Sequence, residues 1–228
     1  MTSAYSAEAR DGIYSTSFRH ADVDRAFVID VLSPLLRSML PGTAVLEVGC
    51  GTGDWLQLIG DLLRQVGRPM GDRYGFDLTP EMVEIARERL GDLPADHVRV
   101  GDLLRPEAYE FGDGPPFGLT VAYDVVQQLP RRLQVAGIRS IYARVPPGCS
   151  LVVFDQDASH PAGRRMGAKK LITRWLRIPL VPRFYLVARY PSVRQLVSAL
   201  ESTGANVEVV RGPVGARIAI VATRPSTR

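Results

Sequence analysis

The chain has 228 residues, 46% of them hydrophobic, enough to bury one substantial core, and its formal net charge is +4. No apolar run approaches the ~18 residues that span a bilayer, and the opening MTSAYSAEARDGIY lacks the basic start and hydrophobic centre of a secretion signal, so a cytoplasmic protein is expected. Two cysteines, Cys50 and Cys149, supply neither a disulfide framework nor a metal-binding spacing.

Along the chain, short apolar runs alternate with helical patterns. The runs predict strands at Ala44–Val48, Arg73–Asp77, Val98–Val100, Leu119–Tyr123, Ser150–Phe154, Val207–Val210 and Arg217–Thr223. Thr79-Pro80-Glu81 gives a capping hydroxyl, a proline for the first helical position and an acid for the first turn, ahead of a helix over Met82–Leu90. Ser192-Val-Arg-Gln195 reads as a capping box opening a helix that Gly204 ends. This alternation predicts a mostly parallel sheet covered on both faces, with right-handed crossovers and ligands beyond the carboxyl ends of its strands.

Behind the first strand stands VLEVGCGTGD, with glycines at 49, 51 and 53. A dinucleotide fingerprint places a glycine where this chain has Asp54, and a carboxylate there repels a pyrophosphate. With Glu47 at the strand end, two acids flank the turn, which suits a ligand carrying positive charge and no phosphate, such as S-adenosylmethionine. The glycines let backbone approach that ligand closely. Asp77 closes the second strand and can accept both ribose hydroxyls, as it could for a nicotinamide nucleotide. Asp102 closes the third and can accept from an adenine amino group, with Leu78 and Leu103 as apolar walls. A lone strand-end aspartate usually caps the following turn, but three such positions behind one glycine turn point to a nucleoside.

These residues resemble the class I S-adenosylmethionine-dependent methyltransferases. VLEVGCGTGD matches the first motif of that family; GFDLTPEMVEIARERL and VRVGDLL look like its second and third, FGLTVAYDVVQQLP its fourth, and RYPSVRQLVSALESTGANVEVV its closing helix and sixth strand. The resemblance covers about Pro41–Pro225. It implies an α/β, Rossmann-like, seven-stranded sheet, mostly parallel, with helices on both faces and the last strand antiparallel. It places Glu47, Gly49, Cys50, Gly51 and Tyr123 around the methionine part of S-adenosylmethionine, Asp77 at the ribose, and Asp102 with Leu103 at the adenine. It implies a helical segment over residues 1–40 covering the site, carrying Tyr14 and His20, and a methyltransferase domain over 41–228.

Two departures concern the acceptor. Gln127-Gln128 stands where many small-molecule members carry a histidine pair, and Gly118 replaces an aspartate common before the fourth strand. Methyl transfer can draw on in-line positioning in a dry site, so a base serves only some acceptors. The candidates are His160, just past the fifth strand, and His20; a structural role competes for each, and His97 precedes a strand at the opposite end. Asp124, Asp155 and Asp157 match a divalent-metal spacing poorly, so no metal is expected.

From Ala158 to Leu200 the chain has nine Lys or Arg and no Asp or Glu. Within it, Leu171, Trp175 and Ile178 share one helical face, and Lys170, Arg174 and Arg177 another. The first reading of this insertion, at about 158–190, is a lid whose apolar face covers the acceptor. A solvated helix comes second, and docking to an anionic membrane surface or an acidic carrier protein third. The function expected is methyl transfer to O, N or C of a small-molecule acceptor of secondary or lipid-quinone metabolism. The alternative is a protein of the same fold that binds S-adenosylmethionine without transferring methyl, cyclase-like or regulatory. Nucleic acid is not an expected partner, since the fourth segment lacks an Asn/Asp-Pro-Pro-aromatic motif.

Overall fold

The computed structural model describes residues 22–175, 188–213 and 215–226. A helix, α1 (Asp22–Ser38), precedes β1 (Ala44–Val48), α2 (Asp54–Gln65), β2 (Arg73–Asp77), α3 (Pro80–Arg89) and β3 (Val98–Val100). The second half continues with β4 (Phe117–Tyr123), α4 (Arg131–Ala143), β5 (Ser150–Gln156), α5 (Pro161–Trp175), α6 (Val193–Glu201), β6 (Asn206–Arg211) and β7 (Arg217–Thr223). The strands form one seven-stranded sheet in the order β3-β2-β1-β4-β5-β7-β6. β1 pairs parallel with β2 and β4, β2 with β3, and β4 with β5, whereas β7 runs antiparallel to both neighbours. The expected class and the antiparallel last strand are both present.

Every residue of β1 is buried, as a central strand covered on both faces requires. On one side Leu46, Val48 and Phe76 pack with Ile138 and Ile141 of α4 and Leu196 and Leu200 of α6. On the other, Val45, Leu119 and Val121 meet Leu32 of α1, Leu56 and Ile59 of α2, and Val83 of α3. Each such side chain contributes about 1.5–3 kcal/mol when fully buried.

Four strands match their expected limits, and β4, β5 and β6 run one or two residues longer at one end or both. The two helix caps differ from expectation. Thr79 and Ser192 stand at the N-cap positions, but neither makes a side-chain cap bond. The Thr79 amide instead donates to Asp77 Oδ1 at 2.9 Å, so a strand-end carboxylate orders this turn. Gly118 has a packing reason: a Cβ there would lie 2.3 Å from Thr43 Oγ1, so neither an aspartate nor any other side chain fits. Both cysteines are free and buried. Among the described residues no helix is long and apolar enough to cross a membrane.

The chain leaves β1 toward β2 and β3, then returns to β4 on the other flank of β1. The carboxyl ends of β1 and β4 therefore part at the switch point where open parallel sheets bind ligands. Register holds these ends level, with Val48 opposite Phe76 and Ala122, and Asp77 opposite Val100.

Candidate active site

At this edge the backbone turns sharply after Val48. Gly49, Gly51 and Gly53 all have positive φ, at 70°, 53° and 80°. A Cβ on Gly49 would meet Val125 Cγ2 at 2.5 Å, so both conformation and space demand glycine. The amides of Gly49 and Cys50 donate to the Phe76 carbonyl at 2.8 and 3.0 Å, and the Gly51 amide donates to Asp77 Oδ2 at 3.0 Å. Asp77 thus ties the glycine turn to the start of α3. Burial raises its carboxyl above the usual aspartate range, against the lowering effect of these amides. Asp102 Oδ1 likewise accepts from the Leu104 amide at 2.9 Å.

One cavity of about 340 Å³ follows the sheet edge. In strand order its wall holds Asp102 and Leu103 after β3, Asp77 and Leu78 after β2, and Gly49 and Gly51 after β1. It continues past β4 and β5 to Gln127, Gln128, Gln156, Lys170, Tyr190 and Arg217. Tyr123 lies between these two stretches. Its ring lies 4.2 Å from that of Trp55, tilted by 33°, and its hydroxyl donates to Asp24 Oδ2 at 3.0 Å.

Glu47 and Cys50 lie behind this wall. Glu47 is 1% exposed, and its Oε2 has no hydrogen-bond partner among the described residues. Burial first, then Asp54 and Asp77, push its carboxyl well above the usual range, while the Leu56 amide lowers it. The Cys50 thiol is buried beside Gly75, whose missing Cβ makes room for it; burial raises that thiol too.

Asp54 does not face the ligand as the charge argument assumed. Its carboxylate pairs with Arg89 of α3 and accepts from Thr52 Oγ1 at 2.6 Å. A neighbouring helix supplies the cation, which the local motif could not show. Among the described residues, the acid at the turn with no cationic partner is Glu47, whose carboxylate accepts from the Leu56 amide.

His160 is not part of the cavity wall. It borders a separate open depression, where its Nδ1 accepts from the Ala162 amide at 3.2 Å and so caps α5. Tyr14 and His20 lie outside the described residues. The three aspartates at the ends of β4 and β5 are already engaged. Asp124, at φ 55°, pairs with Arg217, and Asp155 accepts from the amides of Gln127 and Gln156 at 3.0 and 2.7 Å. Asp157 accepts from the Ser159 amide and hydroxyl. His97 stacks on Tyr74 at 3.9 Å, in a structural role.

The insertion helix faces the opposite way from the apolar-lid expectation. Leu171 and Ile172 are 69% and 57% exposed, whereas Lys170 is 6% exposed and lines the cavity with Met166, one turn earlier. A helix turns about 100° per residue, so Lys170 and Leu171 cannot both face inward. Asp124 and Asp155 below, with the Tyr190 ring 4.1 Å from Nζ, stabilise the lysine there. The Trp175 side chain and Ile178 lie outside the described residues. At the end of the insertion, residues 188–190 are fastened to the turn after β4 and to α4: Arg189 N donates to Gln127 O, and Gln134 Nε2 to Arg189 O, both at 2.6 Å.

Sequence reasoning missed Lys170, Tyr190, Arg217 and Asp24. One signal was present: the chain has two lysines against 26 arginines, and both stand in the insertion.

A family model described as a methyltransferase domain matches residues 46–151. That span is a methyltransferase domain, and the seven-stranded sheet around it is the class I fold of S-adenosylmethionine-dependent methyltransferases. Malonyl-(acyl-carrier protein) O-methyltransferase of Anoxybacillus flavithermus is 35% identical over 77 residues, covering 34% of this chain and 27% of that protein. Demethylmenaquinone methyltransferase of Listeria welshimeri is 29% identical over 116 residues, covering 50% of this chain and 45% of that protein. The chain therefore spans less than half the length of either curated relative. A solved Thermotoga maritima methyltransferase, described as a possible histamine N-methyltransferase, superposes with TM-score 0.62 at 18% identity, over 98% of this chain and 100% of that one. That likeness is one of fold.

The methyltransferase cofactor fits the residues present. The glycine turn offers a backbone cradle, Asp77 an anchored carboxylate for ribose hydroxyls, and Leu78 and Leu103 apolar walls for a base. Glu47 supplies a buried carboxylate oxygen lacking a donor among the described residues, which a ligand ammonium would provide.

Proposed function

We propose that the protein transfers the methyl group of S-adenosylmethionine to a small-molecule acceptor seated beyond Tyr123. The observation that carries this reading is the continuity of the cavity, from the nucleoside-sized end at Asp77 and Asp102 to a second polar wall at Gln127 and Lys170. Gly49, Gly51, Asp77, Asp102 and Leu103 would hold the cofactor, with Glu47 as counter-charge beneath and Tyr123 where the two ends meet. The cofactor supplies a methyl on a sulfonium, whose bonding pair stays on sulfur as the methyl leaves. The protein's part is to hold the acceptor in line with that methyl and to keep water out.

Helix α5 closes the acceptor end with Met166 and Lys170, as a lid with a polar inner face. His160 gives way in this reading to residues on the cavity wall. The relatives named above are an O-methyltransferase and a demethylmenaquinone methyltransferase, which supports an acceptor of secondary or quinone metabolism. Incubation with methyl-labelled S-adenosylmethionine and a metabolite extract should move label into a small product. Cofactor binding without any label transfer would favour the cyclase-like or regulatory alternative.

The outer face of α5 supports a second role. Leu171 and Ile172 project beside exposed Arg165 and Lys169, a surface suited to an acidic carrier protein or anionic membrane that presents the acceptor. Arg165→Glu should weaken capture of a carrier-bound acceptor and leave turnover of the free acceptor unchanged. Equal turnover of both forms by the variant and the wild type would remove this role.

A further inference from the structure

The acceptor end of the cavity contains polar groups that the cofactor does not need. Gln127 Oε1 and Gln128 Oε1 are buried acceptors without a partner among the described residues, and both residues line the wall. Gln127 is only 6% exposed, so its carbonyl oxygen leaves water without gaining a protein donor. A ligand bearing hydroxyl or N–H donors would satisfy both oxygens. Between these polar groups the wall is apolar, with Val125, Leu129, Met166 and Ala188. The pocket therefore suits an apolar body carrying hydroxyl groups.

Most ionisable groups around this end are committed to one another. Arg217 pairs with Asp124 and, at 2.9 Å, with Asp24. Asp155 is fully buried and accepts two backbone amides, and burial then Asp124 raise its carboxyl well above the usual range. The Tyr123 hydroxyl donates to Asp24, and burial raises it as well. Lys170 reaches the same wall from α5, with its Nζ over the Tyr190 ring and the acids Asp124 and Asp155 behind it.

We propose that Lys170 is the residue that receives the acceptor's proton, and that the acceptor is a phenol or enol with at least one further hydroxyl directed at Gln127 or Gln128. This rests on the methyl-transfer reading above. In the step, the acidic O–H gives its proton to neutral Nζ, and the acceptor oxygen forms its bond to the methyl carbon. The S–CH3 bond breaks with its electron pair left on sulfur, and Lys170, now an ammonium, returns the proton to solvent. Burial lowers the ammonium pKa to about 8, an effect that Asp124 and Asp155 partly offset. The amine is thereby matched to weakly acidic hydroxyls near neutral pH. An arginine at this position would not release a proton, whereas a lysine does so readily when buried.

The chain's composition makes the test direct, because Lys169 and Lys170 are its only lysines. Nitrogen-labelled lysine gives two signals, and exposed Lys169 is the internal reference. In protein saturated with S-adenosylhomocysteine, the Lys170 signal should titrate near 8 and move on addition of nitrocatechol, while Lys169 stays unmoved. Lys170→Met should bind S-adenosylhomocysteine as the wild type does, which shows that it is folded, and lose nitrocatechol affinity by roughly tenfold. Lys170→Arg should keep the charge but lose transfer to catechol, whose hydroxyls are un-ionised at neutral pH, by about a hundredfold or more, together with the rise in rate through pH 8. Failure of the wild type to bind S-adenosylhomocysteine would overturn the methyl-transfer reading itself. With that binding intact, an unmoved Lys170 signal, undiminished transfer by Lys170→Arg, or transfer confined to amines and carboxylates would each overturn the lysine proposal.

Discussion

At the glycine-turn end of the cavity, the wall residues Gly49, Gly51, Asp77, Leu78, Asp102 and Leu103 lie within three residues of a strand terminus. Their positions follow from the sheet, and their contacts run largely through backbone amides. At the Lys170 end, the wall is assembled from a turn after β4, the tip of β5, one face of α5, the loop residues Ala188 and Tyr190 and the head of β7. An ion-pair network of Asp24, Asp124 and Arg217 stands behind it. The first end is thus positioned by main chain and register, the second by side chains that must satisfy one another. Substitutions should accordingly act on cofactor affinity at one end, and on stability and acceptor handling at the other.

The largest effect is expected in the network. Arg217→Met leaves Asp124 and Asp24 without their buried cation, and loss of one partner of a buried pair costs about 3–5 kcal/mol. Denaturant unfolding should show that loss, with S-adenosylhomocysteine affinity in the surviving folded fraction falling much less. A loss below about 1 kcal/mol would mean that the network is decorative.

At the other end, Asp77→Ala removes the carboxylate that holds both the glycine turn and the proposed ribose. Each charge-assisted bond lost should cost ~1.5–3 kcal/mol of S-adenosylmethionine affinity, tenfold or more, while the fold survives. Calorimetric titration decides this, and unchanged affinity would break the contrast between the ends.

The smallest effect separates the two faces of α5. Leu171→Ala should change stability by no more than about 0.5 kcal/mol and leave cofactor affinity and free-acceptor turnover intact, because the side chain is 69% exposed. A sharp fall in turnover would restore the apolar lid that the structure has turned outward.

The same division explains what could be read in the sequence. Strand-end glycines and acids sit in short contiguous motifs, and the β-α alternation fixes which sheet edge carries them, so both the fold and the residues of the glycine-turn end of the cavity were legible. Asp54 shows the limit of that locality, because its cation arrives from Arg89, thirty-five residues away in the chain. The acceptor end depends on how α5 is rotated. An apolar-inward rule placed Leu171 inside, but buried acids at Asp124 and Asp155 and the Tyr190 ring favour Lys170 there instead. Arg217 opens an otherwise apolar strand, and its partners lie 193 and 93 residues away, beyond the reach of any local pattern.

The central claim is that the glycine-turn end receives a cation over Glu47. Burial, Asp54 and Asp77 hold the free carboxyl well above its usual pKa, and an arriving ammonium favours its ionised form. Binding should therefore release a proton, and affinity should rise with pH until the raised pKa of the free protein is passed. Calorimetry of S-adenosylmethionine binding in buffers of different ionisation enthalpy measures this proton directly. The account predicts proton release by the wild type, none by Glu47→Gln, and no comparable binding of NAD. Buffer-independent heats in the wild type, or NAD binding as tight as S-adenosylmethionine, would contradict it.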